Sequence, residues 1–181
     1  MPHIALNDQD LPGITGLLNY RPDTGAVLNQ LAELLLRGEN SLTPGERELI
    51  AAHVSTLNKC VFCSSSHAAF AAAQLPGGVE LVELARFDPD SAPLTDKLKA
   101  LLKIAAAVQD SGLSVTDELV DKARAEGATD REIHDTVLIA AAFCLYNRYV
   151  DGLGTRPARE QHYYHEHADL IVAHGYTGGP A

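Results

Sequence analysis

Apolar residues recur along this chain at spacings of three and four, the period of a helix with one buried face. Leu28, Leu31, Leu34 and Leu35 form the first such stripe, from Thr24 onward, and Gly38 is its stop. Leu49, Ile50, Val54 and Leu57 form the second. Thr43-Pro44-Gly45-Glu46 opens it as a capping box with proline at the first helical position. The alanine-rich stretch from Cys60 to Gln74 reads as helix and ends at Pro76-Gly77-Gly78. Asn58 and Lys59 either interrupt the two stretches or lie inside one long helix.

Further helices are expected over Val79 to Ala85, Leu94 to Val108, and from the Thr116 cap to Glu126, with Asp88 to Pro93 as a turn-rich linker. Thr129-Asp130-Arg131-Glu132 is a second capping box. It opens a helix from Ile133 to about Leu153 that is apolar nearly all round, so a place in the core or at a subunit contact is expected. Arg159 to His174 reads as a last helix, followed by a loose Gly-rich tail. Residues 1–23, punctuated by Pro2, Pro12, Gly13 and Pro22, read as irregular. No strand-like alternation of useful length occurs. The expected fold is all-α, a bundle of about seven or eight helices in one domain over 1–181, with the C-terminal helix and tail at 157–181.

Composition narrows the function. The net charge of −10 offers no basic stripe for phosphates, so neither nucleic acid nor an anionic membrane surface is an expected partner. The longest apolar run, Val137 to Leu145, falls short of the ~20 residues a bilayer span needs. The acidic, mostly polar start lacks the apolar stretch of a secretory leader, and a cytoplasmic location is expected. Only three cysteines are present, two of them as Cys60-x-x-Cys63, which in a reducing compartment means redox chemistry or metal binding.

On a helix, Cys60, Cys63 and His67 stack along one face. Peroxide reduction needs a thiolate, a proton for the departing oxygen, and a second thiol that closes a disulfide before over-oxidation. This segment holds all three, with His67 placed to take the Cys63 proton. A helix start near Cys60 favours thiolate. Glu48 lies twelve residues before Cys60, and meets His67 only if the helices bring them together.

Glu48, Cys60-x-x-Cys63 and His67, with Glu46-Arg47, Val54-Ser55 and Asn58 around them, resemble the signature of AhpD-like alkylhydroperoxidases of the carboxymuconolactone decarboxylase superfamily. Ala142-Phe143, Asn147-Arg148 and Asp151-Gly152-Leu153-Gly154 resemble its peroxidase-related branch. The resemblance covers roughly residues 20–155. It implies an AhpD-like helical fold and a homo-oligomer, commonly a trimer or hexamer. It also implies a catalytic set in which Cys63 is the peroxidatic thiol, Cys60 the resolving thiol, and His67 with Glu48 the proton relay. The expected partners are a hydroperoxide substrate and an external thiol or dithiol reductant, with no cofactor and no metal. Phe62 stands where the best-known AhpD pattern has a second histidine. The alternative is a decarboxylase-like or other non-redox member of the fold, although the lactone decarboxylases lack the cysteine pair.

Blander readings stand beside these. The cysteines could be two small buried residues, or could join His67 and His53 as zinc ligands. Glu48 could pair with a surface cation. Cys144 reads as a core residue and His134 as solvated. Asn147 and Arg148 read as structural, and Arg47 as a salt-bridge or subunit-contact residue. The histidines at 162, 165 and 167 read as a solvated helix face.

Overall fold

A computed structural model describes residues 1–178, and among them the chain is all-helical, with no strand. In order, the helices are α1 (Gly13–Tyr20), α2 (Pro22–Arg37), α3 (Pro44–Leu57), α4 (Val61–Ala72) and α5 (Gly78–Phe87), then α6 (Asp96–Asp110), α7 (Asp117–Ala125), α8 (Asp130–Gly152) and α9 (Gln161–His174). Nine α-helices among the described residues is close to the expected seven or eight. The additional one is α1.

Residues 1–23 are therefore less irregular than the punctuation suggested. Gly13 starts α1 at φ +53°, where glycine is favoured, and its N–H donates to the Arg156 carbonyl at 2.8 Å. The His3 N–H is bonded to the Leu153 carbonyl at 2.8 Å, so the N-terminal segment is pinned to the loop that follows α8. Pro22 opens α2 rather than breaking it, because proline lacks only an N–H that a first turn leaves unpaired.

Both predicted capping boxes form. The Thr43 side chain accepts from the Glu46 N–H, and the Glu46 carboxylate accepts from the Thr43 N–H at 2.8 Å. Thr129 and Glu132 do the same at the start of α8. Glu132 also binds the Ser41 hydroxyl and the Lys97 ammonium at 2.9 and 2.8 Å, which ties α8 to α6 and to the loop before α3. Burial pushes this carboxyl up, but these bonds outweigh burial and hold it down at about 2.

The centre of the bundle is α3, not α8. Every residue from Arg47 to Ser55 is buried, because α2, α4, α5, α6 and α8 all pack against this helix. The long helix α8 leaves Leu138 and Leu145 at the surface. On α2 the buried stripe is Ala32, Leu35 and Leu36, with Leu28 and Leu31 half-buried. Leu34, expected inward, is 64% exposed, since it projects nearly opposite Leu36 on the helix. A second, smaller apolar cluster joins Leu6, Leu17, Cys60, Phe62, Cys63, Val150 and Tyr164. No helix among the described residues is long and apolar enough to cross a membrane.

Candidate active site

The turn between α3 and α4 sets the position of the thiols. The main chain leaves α3 through Lys59 at φ +60°, so Asn58 and Lys59 interrupt what would otherwise be one helix. Asn58 is held from outside: its side chain donates to the Asn147 Oδ1 at 2.8 Å and accepts from the Gln109 Nε2 at 3.0 Å. Asn147 in turn donates to the Ser55 hydroxyl at 3.1 Å. Asn147 thus fixes the turn, in line with its structural reading. Arg148 is exposed and donates to the Cys144 carbonyl of its own helix. Cys144 is half-buried against the main core.

Cys60 is the N-cap residue of α4, and Cys63 lies in the first turn, where the unpaired N–H groups of the helix favour a thiolate. Both are unbridged and buried, at 0% and 3% exposure. Their hydrogen bond, followed by burial and the neighbouring Cys63 charge, pushes the Cys60 thiol well above its ordinary value.

Glu48 does reach His67. Its Oε2 lies 2.6 Å from the His67 Nδ1, between the second turn of α3 and the second turn of α4. The carboxylate is fully buried, which rules out the surface ion pair. The His67 ring packs edge-on against Phe70 and Phe143, with centroids 5.2 and 4.5 Å apart. One further residue joins this group, and the sequence pointed to nothing of the kind. Tyr176, in the tail after α9, donates its hydroxyl to the Glu48 Oε1 at 2.6 Å and stacks on His67 at 6.3 Å. The tail is not loose at this point.

Phe62 takes no part in proton transfer. Its ring packs on Tyr163 and Tyr164 of α9, 6.4 and 6.0 Å away. It sits so close to Gly13 that a Cβ there would collide with it. Phe62 thus anchors both covers of the thiols, α1 and α9.

His53, weighed as a fourth zinc ligand, points elsewhere: its Nδ1 bonds the Arg86 carbonyl at 2.9 Å, and burial lowers its pKa. Among the described residues, no group of three or more His, Cys, Asp or Glu side chains is arranged to hold a metal ion. On α9, His162 and His165 are exposed, whereas His167 stacks on Tyr163 at 4.1 Å. Arg47 is buried and donates to the Leu35 carbonyl at 2.9 Å, so it braces α2 against α3.

Residues 22–88, which contain Glu48, both thiols and His67, match the carboxymuconolactone decarboxylase family. The fold is similar to that of an uncharacterized peroxidase-related protein from Silicibacter sp., with TM-score 0.76 and 26% identity over 85% of this chain and 78% of that one. It is equally similar, with TM-score 0.76 and 26% identity over 83% and 79% of the two chains, to an alkylhydroperoxidase AhpD core, an uncharacterized peroxidase-related protein from Ralstonia eutropha. No curated protein matches the sequence.

Proposed function

We propose that the chain is a thiol-dependent hydroperoxidase of the AhpD-like, carboxymuconolactone decarboxylase superfamily, in its peroxidase-related branch. The observation that carries the reading is the Glu48–His67 pair, buried one helical turn from a reduced Cys60–Cys63 dithiol.

In this reading His67, bonded to Glu48 through Nδ1, uses Nε2 to take the Cys63 proton. The thiolate attacks the terminal oxygen of a hydroperoxide. The O–O bond breaks, and His67 returns the proton to the departing alkoxide, giving an alcohol and a Cys63 sulfenic acid. The Cys60 sulfur then attacks the Cys63 sulfur and water leaves, which closes the disulfide. An external dithiol restores both thiols. Overall, one hydroperoxide and one dithiol become an alcohol, water and a disulfide. Leu6, Leu17, Phe62 and Tyr164 cover the thiols, which favours small or slender hydroperoxides.

The test is intact mass before and after an equivalent of organic hydroperoxide on the reduced protein. Loss of two hydrogens, mapped to Cys60 and Cys63, is the expected result. An unchanged mass overturns the reading and favours a non-redox member of the superfamily, in which Cys→Ser changes at both positions are silent. Exposed Leu138 and Leu145 on α8 support a homo-oligomer built through that helix, which light scattering measures directly.

A further inference from the structure

Glu48 is a fully buried carboxylate, and burying such a group is costly unless donors saturate it. His67 serves Oε2 and the Tyr176 hydroxyl serves Oε1, both at 2.6 Å. The same hydroxyl lies 3.5 Å from the His67 Nδ1, so it faces both members of the pair.

The tail is built to hold it there. Gly175 ends α9 at φ +72°, and a Cβ at this position would collide with the Glu33 carboxylate. Glu33 Oε2 accepts the Tyr176 N–H at 2.7 Å, while Arg37, one turn further along α2, donates to the Val172 carbonyl at 3.0 Å. The titratable and charged groups around the hydroxyl are Glu48, His67, Glu33 and Arg37. Burial, then the charge of Glu48, raises the phenol well above its ordinary value, so Tyr176 remains a donor.

We propose that Tyr176 is a positioning residue of the proton relay: a C-terminal strap clamped by Glu33 places its hydroxyl on Glu48 Oε1, holds that carboxylate with Oε2 on the His67 Nδ1, and so leaves Nε2 free to act as base. The inference rests on the dithiol reading above. Without the phenol, Glu48 Oε1 is left buried without that donor and the Glu48–His67 geometry loosens. Alkylation then slows first on the acid side, where the thiol depends most on the relay.

The experiment is the pH profile of iodoacetamide alkylation at Cys63, read by peptide mass spectrometry, for the wild type, Tyr176→Phe, Glu33→Ala and Glu48→Gln. Tyr176→Phe keeps the ring against His67 and Phe70 and removes only the hydroxyl. Its acid limb is expected to move up by about half to one pH unit, roughly three- to tenfold slower alkylation on that side. Glu33→Ala, which touches neither Glu48 nor His67, is expected to move the limb in the same direction by freeing the strap. A Tyr176→Phe profile that superimposes on the wild type, while Glu48→Gln displaces it, overturns the inference alone. A profile indifferent to Glu48→Gln as well removes the relay itself.

Discussion

The two halves of the candidate site are built on opposite terms. The thiol half lies in the small apolar cluster, under Leu6 and Leu17 from the N-terminal segment and Tyr164 from α9, and the hydrogen bond between the thiols serves them both. The proton half lies beside the main core, where Glu48, His67 and Tyr176 satisfy one another. A neutral thiol is close to a small hydrophobe and needs only packing, whereas a buried carboxylate needs a partner on each oxygen. The two thiols are therefore neighbours in sequence, and distant residues supply only their apolar cover. The proton half draws on α3, α4 and a tail more than a hundred residues away.

The sharpest break in the comparison comes from the thiols themselves. Cys63→Ser should abolish hydroperoxide turnover, while Cys60→Ser should stop after one reaction, with a sulfenic acid that dimedone traps. If both variants turn over normally, the two halves are not parts of one centre.

Next in size is the proton half. His67→Ala is expected to lower kcat/KM by about 10²–10⁴-fold, the usual range for losing a positioned acid–base group, with the dithiol still titratable by a thiol reagent. A loss that Cys63→Ser does not mask would mean that His67 acts elsewhere.

Glu132 offers a control, since it is equally buried but remote from the thiols in sequence and in bonding. Its folded-state pKa is depressed to about 2, so its contribution is present above the ordinary glutamate range and is lost as pH falls from there towards 2. Glu132→Ala should cost about 2–3 kcal/mol at neutral pH and flatten stability over that acid window, while thiol alkylation stays unchanged. Urea melts across the window measure it. A variant as pH-sensitive as the wild type would assign the acid loss to other carboxyls.

The smallest effect belongs to the thiol cover. Gly13→Ala forces a side chain into left-handed backbone and against Phe62, at about 1–2 kcal/mol. The N-terminal segment should loosen, and Cys60 and Cys63 should react faster with a bulky disulfide reagent. An unchanged rate would place the access route to the thiols on the α9 side instead.

Much of this was written locally. Thr43 and Thr129 announce their helices because a capping box is closed by residues three apart, and the period of Leu49, Ile50 and Val54 needs no distant partner. The spacing of Cys60, Cys63 and His67 is likewise a property of a single helix. Where local signals are balanced, the sequence was silent or misleading. Pro12 and Gly13 look like loop residues, yet α1 forms, because the Arg156 carbonyl and the Phe62 ring accept that backbone. The stretch from Ile133 to Leu153 places Ile139, Ala140 and Phe143 in the core as expected, yet it is α3 that neighbours bury most completely.

By itself, then, the sequence determined an all-helical chain, its capped helix starts, and a dithiol with a histidine in register, since each rests on contacts within a few residues. Only the tertiary structure decided that Glu48 meets His67, that Phe62 holds down two covers rather than carrying protons, and that Tyr176 closes the buried carboxylate. Those depend on which helices lie side by side, and burial of a charge is settled by all the neighbours at once.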